Sequence, residues 1–391
     1  METSSADGSR CNLSLNVSAG EDADSYEYNS TEKAMITIVM PWILVFGLIG
    51  NLGFLFVLCR VTWMRTTLNF FLTHLAIADI LFLSVSVSEK VIGYAVSPVS
   101  VDKYFMGVSG CVLINLMLDI CYFASVSLVT LVTLERYYAT CRPHVHREHS
   151  TRARPVRLVS FVWFCSVVLA CSIIPSNCSF FTVCLTWPNE TRYQNYPNVM
   201  GVCFALDAAS DWIDDFADAL HSVPFVTAMA VNIAFFSLII RALNSMVARA
   251  QRSGFSDRSQ HIRDRVSRML VINGIIFFLC LAPFQITTLS HLFLPDANKG
   301  DFVWTMMCRI LVYINSAVNP IVYNITNPRY RKAFQQAFST RRSHSKLKNN
   351  CANRASSNME MNARGNTNTR ATFNSNAQTS TQQVKTMAST F

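Results

Sequence analysis

Asp79, Glu89, Asp119, Glu135, Arg136 and Arg309 each fall within or at the end of a long apolar stretch. An ionisable group in such a setting implies a polar partner, a bound ion or a ligand. Both signs are present, which suits ion binding, ligand recognition and the exchange of charge partners. Covalent catalysis fits poorly, because no nucleophile, base or metal set with usable spacing survives placement among these stretches, and the chain is not expected to be an enzyme. His144, His146 and His149 imitate a metal-ligand cluster, yet they lie beside Arg147 and Arg152. A solvated loop facing lipid headgroups or a partner explains them without any coordination geometry, so no metal is expected there, and no nucleic acid.

The elements that position these residues follow from composition. Hydrophobic residues make up 51% and charged residues 15% of the 391, against roughly 25% charged in soluble proteins. Thirteen cysteines are too dilute for a disulfide scaffold. About 20 apolar residues cross the roughly 30 Å of hydrocarbon, and seven stretches qualify: 34–59, 68–96, 108–140, 156–175, 219–240, 266–293 and 303–325. Only helices and closed barrels satisfy their backbone in lipid, and no ten-residue alternation marks a barrel. The expected fold is an all-α membrane protein, a seven-helix bundle. A short amphipathic eighth helix over 326–338 rests on Tyr330, Phe334 and Phe338 at four-residue spacing, lying on membrane lipid.

Lys and Arg number 2 in residues 60–67, 6 in 136–157, 7 in 241–268 and 11 in 329–391, which is 26 of 33. The positive-inside rule puts these segments in the cytoplasm and the N-terminus outside. Four parts result: an extracellular glycosylated segment 1–33, the seven-helix domain 34–325, the surface helix 326–338 and a disordered tail 339–391. With neither the basic start nor the apolar stretch of a cleavable signal, 1–33 leaves insertion to the first span. Sequons at Asn12, Asn16, Asn29, Asn177 and Asn189 fall in the segments expected outside.

Further residues recur one helix at a time: Gly50-Asn51, Leu75-Ala76-Ile77-Ala78-Asp79, Cys111, Glu135-Arg136-Tyr137, Trp163, Pro224, Phe277, Pro283 and Asn319-Pro320-Ile321-Val322-Tyr323. In this order and distribution the chain resembles the rhodopsin-like (class A) G-protein-coupled receptors along its whole helical body. The resemblance implies a multi-pass plasma-membrane receptor that performs no covalent chemistry and opens a cytoplasmic cavity for nucleotide exchange on a heterotrimeric G protein. Asp79 would join Asn51, Ser125, Ser316, Asn315 and Asn319 around an allosteric sodium ion, the alternative being a neutral, hydrogen-bonded Asp that only fixes packing. No other cofactor is required. Arg136 would pair with Glu135 at rest and turn to the G protein on activation. Pro320 frees backbone groups near Asn319 and Tyr323, a bistable element.

Three positions depart from the family pattern. Leu281 stands where a tryptophan usually acts as a switch two residues before Pro283, leaving Phe277 to move instead. Asn232 replaces a tyrosine eight residues after Pro224 and is too short to reach Tyr323 in the same way. His144 follows Pro143 where an apolar residue usually plugs into the G protein. A constitutively active or weakly coupling receptor for a small molecule is therefore the alternative reading. A transporter or channel is the different-class rival, without the repeated half-structures it would need.

On the outer side, the resemblance implies a disulfide from Cys111 to the long loop before the fifth span, with Cys203 the expected partner. The connectivity of Cys11, Cys178 and Cys184 stays open. Residues 180–187 and 196–206 are expected to form a β-hairpin over the pocket. Glu89, Asp119 and Arg309 should line an outer cavity with Tyr122, Gln285, Thr288 and Tyr313; Lys90, Tyr94 and Phe302 are secondary candidates. Arg309 either bridges to Glu89 or Asp119 or meets a peptide terminus. Asp211, Asp215 and Asp218 fall on one helical face, either steering a basic peptide or simply solvated. Leu118 stands where amine receptors carry Asp and Tyr313 where opsins carry Lys, so an extracellular peptide is the expected ligand, as in the thyrotropin-releasing hormone, neuromedin and FMRFamide receptor groups, which share a hairpin-like loop and Met64-Arg65-Thr66. The tail offers Ser and Thr for a receptor kinase and arrestin, Cys351 for palmitoylation, and Ser389-Thr390-Phe391 for a PDZ domain.

Overall fold

The computed structural model describes residues 11–18, 20–148, 151, 153–206, 211–253, 258–293 and 302–339. The tail beyond 339, with Cys351 and Ser389 to Phe391, lies outside the described residues, as do His149 and Arg152. Seven helices are long and apolar enough to cross a membrane: α1 (Ser30–Arg60), α2 (Thr67–Val96), α3 (Gly107–Cys141), α4 (Ala153–Ile173), α5 (Asp211–Ser253), α6 (Arg258–Phe293) and α7 (Phe302–Thr326). A short α8 (Pro328–Phe338) follows. α5 runs well past the expected 219–240, because a hydropathy scan sees only the part suited to hydrocarbon. Asp211–Phe216 and Arg241–Ser253 are helical but too polar to register.

The helices pack in sequence around α3, which touches α2, α4, α5 and α6. Small residues set the close approaches. A Cβ on Gly47 would lie 2.4 Å from Leu83 Cδ1 and 3.2 Å from Ala317 Cβ, so α1 meets α2 and α7 there because its side chain is absent. Buried polar residues then fix rotation. Asn51 Nδ2 donates to the carbonyls of Gly47 and Ser316 at 3.0 Å each, Trp163 Nε1 to His74 Nδ1 at 3.2 Å, and Tyr330 OH to Asn69 Oδ1. In a bundle where lipid and leucine are equally apolar, such bonds between small-residue contacts select one packing.

At the end of the bundle where α3 begins lies a three-stranded sheet. β2 (Ser179–Thr186) and β3 (Val199–Phe204) pair antiparallel with Phe180 opposite Cys203. Tyr196, expected to begin the second strand, lies outside it and instead joins Trp187 and Tyr193 in an aromatic cluster. The third strand comes from the N-terminal segment: β1 (Leu13–Asn16) pairs parallel to β2 with Leu13 opposite Val183. Cys11 bonds to Cys184 and Cys111 to Cys203, while Cys178 is a free thiol. Asp102 Oδ1 accepts from the N–H of Gly201 (2.9 Å) and of Tyr104 (2.8 Å). A Cβ on Gly201 would stand 2.6 Å from Tyr104 Cα, so only glycine lets the hairpin lie this close to the chain entering α3.

Arg192 closes the sheet onto the N-terminal segment by ion pairs with Glu27 and with Asp24 (3.2 Å). The Glu27 carboxylate holds its guanidinium above the usual arginine range. Four of the five sequon asparagines have side-chain hydrogen bonds, Asn177 Nδ2 donating to Ser176 Oγ at 2.8 Å. Asn12 Oδ1 accepts from Thr182 N and Oγ1 at 3.0 Å each, Asn16 Oδ1 accepts from Ser18 N, and Asn29 caps α1 in a reciprocal pair with Glu32. Asn189 is exposed.

Candidate functional site

Below the sheet a cavity of about 760 Å³ opens among the helices. Each primary ligand candidate from the sequence lines it: Glu89 from α2, Asp119 and Tyr122 from α3, Gln285 and Thr288 from α6, and Arg309 and Tyr313 from α7. Lys90 lines it too. Tyr94 instead packs edge-on against Tyr28 at 5.1 Å, and the Phe302 side chain is outside the described set. Leu281 and Phe284 line the wall with Leu118, and Phe277 lies buried in edge-to-face contact with Phe278 (5.3 Å). The position expected to hold a ring is therefore filled by an aliphatic side chain at the cavity itself.

The charge partners differ from those expected. Glu89 is held by Lys90 (3.0 Å) and by Lys103 from the loop before α3, and Asp119 by His221 of α5 (3.3 Å). Arg309 bridges to neither carboxylate; among the described residues it has no ion pair within 4 Å and lies close enough to Lys90 for repulsion. Spacing showed that these groups share a cavity, but a lysine adjacent to Glu89 and a second in the next loop reach it first. The acidic face of α5 is also rotated: Asp214 and Asp218, with Ala217 and His221, line the cavity, whereas Asp215 is exposed and the Asp211 side chain is outside the described set.

His221, Lys103 and Asp214 went unremarked in the sequence as pocket residues. The i, i+4 and i+7 spacing of Asp214, Asp218 and His221 was the available signal. A chain of hydrogen bonds joins three helices at this level. Gln285 Nε2 donates to Tyr122 OH (2.9 Å), which donates to the His221 carbonyl (3.0 Å), and the His221 ring stacks on Phe123 at 5.6 Å. Gln285 Oε1 is buried without a partner. Tyr28 lines the cavity from the N-terminal segment. Burial, with the Glu89, Glu32 and Asp102 carboxylates behind it, pushes its phenol up to about 12, so it remains a neutral donor at physiological pH.

Deeper in the bundle, Asn319 Nδ2 donates to Asp79 Oδ2 at 2.7 Å, while Asp79 Oδ1, Asn51 Oδ1 and Asn315 Oδ1 are buried with no partner. Ser316 is buried beside them and Ser125 is half-buried. Such unsatisfied oxygens are rare in a settled interior, and a cluster of them around a carboxylate matches the donor set of a hard monovalent cation with water. Asn232 is fully buried and donates to Thr130 Oγ1 on α3 (2.9 Å) and to its own Ala228 carbonyl. Tyr323 OH is buried without a partner between Phe54 and Tyr330.

At the opposite end, Glu135 and Arg136 do not form the expected pair. Glu135 faces His146 at 3.6 Å and Arg154 at 3.7 Å, and Arg136 Nε is buried without a hydrogen bond. Consecutive residues on a helix point about 100° apart, so once the loop helix Pro143–Glu148 presents the His146 imidazole and the start of α4 the Arg154 guanidinium, Glu135 turns to them. Tyr137 packs against Phe235 at 5.0 Å. Pro224, Pro283 and Pro320 all lie inside their helices.

Residues 50–323 match the family model of the 7 transmembrane receptors of the rhodopsin family. Among curated proteins, the chain is 26% identical over 313 residues to neuromedin-U receptor 2 of Mus musculus, covering 78% of this chain and 75% of that one. It is 23% identical to the thyrotropin-releasing hormone receptor of Mus musculus (78% and 79% covered) and 23% identical to galanin receptor 2b of Danio rerio (81% and 78%). With seven apolar helices, a floor of buried polar residues and a family match across the helical body, the chain belongs to the rhodopsin family of seven-transmembrane receptors.

Proposed function

We propose that this receptor sits in the plasma membrane with its N-terminus outside, binds an extracellular peptide in the cavity below the sheet, and activates a heterotrimeric G protein at the Arg136 end. The observation that carries the reading is convergence: the expected contact residues from four helices line one cavity, below the hairpin of β2 and β3. The relatives named for peptides support the same class. Ligand contact at Arg309, Asp119 and Gln285 would draw α3, α6 and α7 together through Tyr122. Pro283 and Pro320 supply the missing backbone bonds at which α6 and α7 can change shape. The test is a panel of short peptides applied to cells expressing the full chain, with calcium and cyclic AMP as readouts. A peptide response that Gln285→Ala weakens, at unchanged surface level, supports the reading. A response confined to non-peptide small molecules would replace it with the alternative.

The oxygens around Asp79 fit a sodium ion, which Asp79, Ser125, Asn315, Ser316 and Asn319 would hold. A cation there would neutralise the buried carboxylate and favour the arrangement in which these helices surround it. Asp79→Asn is expected to abolish sodium's suppression of agonist affinity, an effect on the order of tenfold for a coupled pair of sites. Equal sodium sensitivity in both proteins, read by radioligand competition, would leave Asp79 with a packing role only. Receptor kinase and arrestin at the tail, a PDZ domain at Phe391, and glycans at Asn12, Asn16, Asn29 and Asn189 belong to the same proposal.

A further inference from the structure

In the half of the bundle that ends at Arg136, unpaired polar atoms face inward from four helices. Arg136 Nε on α3, Asn232 Oδ1 on α5, Asn273 Oδ1 on α6 and Tyr323 OH on α7 are all buried without a hydrogen-bond partner among the described residues. The amide oxygens accept, Arg136 Nε donates, and the hydroxyl can do either. Buried atoms of this kind are costly to leave unpaired, so an arrangement that joins donor to acceptor competes with the one observed. A contact between α6 and α7 shows which of them face each other. Asn327 Nδ2 lies 3.6 Å from Met269 Sδ. Asn273 is one turn beyond Met269 and Tyr323 one turn before Asn327. Successive spans run antiparallel, so both lie about 6 Å further along the same seam, where they are 4% and 2% exposed. The Tyr323 ring is turned instead to Phe54 of α1 and Tyr330 of α8, at 5.6 Å each.

We propose that Asn273 is a positioning residue for G-protein activation: its Oδ1 accepts a hydrogen bond from Tyr323 OH in the signalling arrangement and is unpaired in the arrangement described here. The proposal rests on the reading that this receptor activates a G protein. Asn232 is not the partner, because its Nδ2 is bound to Thr130 Oγ1 and to the Ala228 carbonyl, which holds the side chain against α3. α7 is also weakened where it would have to yield. Pro320 has no N–H to offer the Ser316 carbonyl, which accepts from Asn51 Nδ2 at 3.0 Å instead. The segment carrying Tyr323 is thus joined to the rest of α7 by one backbone bond fewer, and its ring can leave Phe54 and Tyr330 for the α6 seam. A bond made in only one of two arrangements shifts their balance by its own strength. Asn273 supplies from α6 the polar contact that Asn232 cannot supply from α5.

The experiment measures nucleotide exchange without added ligand on membranes holding the full-length receptor and a panel of purified G-protein heterotrimers, scaled to receptor amount. The proteins are the wild type, Asn273→Leu, Tyr323→Phe and the double variant, with the Tm of each solubilised receptor alongside. Leucine keeps the branched shape of asparagine without its oxygen, and phenylalanine keeps the ring without its hydroxyl. Each single variant is expected to lower exchange about fivefold to tenfold, the scale of one net hydrogen bond present in one of two states. The double variant should fall no further than either, because both remove the same bond. Asn273→Leu should match or exceed the wild type in Tm, since Oδ1 bonds nothing in this structure. A role in packing alone would lower Tm and exchange together. Losses that multiply in the double variant, unchanged or raised exchange in Asn273→Leu, or a fall in its Tm alongside exchange would overturn the proposal and leave the G-protein reading standing. A wild-type receptor that drives exchange on no heterotrimer, with or without the peptide panel, would overturn both.

Discussion

Replacing Cys111 and Cys203 with serine is expected to remove most folded receptor from the cell surface, whereas replacing Cys11 and Cys184 leaves a folded receptor with a loosened cap. Chain entropy alone ranks the bridges the other way. The first closes a separation of 92 residues and the second one of 173, worth about 4.6 and about 5.2 kcal/mol by the loop-closure relation. Both figures are upper bounds, since inserted helices already confine the unfolded chain, and the structure reverses their order. Cys111 is fully buried at the start of α3, and its bond holds β3, the Gly201 contact with Tyr104 and the roof of the cavity together. Cys11 holds only β1, whose release leaves β2 paired with β3 and no helix disturbed. The measurement is surface level together with thermal unfolding of the solubilised protein. Equal losses from the two double variants would mean that β1 is integral to the bundle.

How much of this was visible in the sequence depends on the type of contact. The spans were legible because length and hydropathy are properties of one segment in one solvent. So was the family, because Asp79, Arg136, Pro283 and Asn319-Pro320, each costly in lipid, recur in order and one helix at a time. The gathering of Glu89, Asp119 and Arg309 in one cavity followed from helical rise and depth alone. Their pairing did not follow. Which cation reaches Glu89 depends on how the loop carrying Lys103 folds back, and which partner takes Asp119 depends on the rotation of α5 that brings His221 inward.

The N-terminal strand was illegible for a related reason. Residues 12–17 alternate too briefly to read as a strand, and become one only because β2 offers an open edge and Cys184 a bond. Asn232 shows the converse. The sequence marked it as a departure too short to reach Tyr323, and its burial against Thr130 gives that departure a use: it ties α5 to α3 where the usual longer side chain would project between helices.

Arg136→Ala is expected to leave agonist binding in place and to reduce stimulated nucleotide exchange by about tenfold or more, the scale of coupling between distant sites. The informative companion is Arg154→Ala. Glu135 is 4% exposed, and a buried carboxylate deprived of a cation seeks another. Its present partners are His146 and Arg154, and its neighbour Arg136 has Nε unpaired. Removing Arg154 should therefore turn Glu135 toward Arg136 and hold it, lowering both basal and stimulated exchange. Adding Glu135→Gln should restore them, because the amide cannot hold the guanidinium as an ion does. A rise in basal exchange on Arg154→Ala would carry the opposite meaning, that the Glu135 to Arg154 contact fastens α3 to α4 in the resting state. Nucleotide exchange on membranes, scaled to surface receptor, separates the two directly.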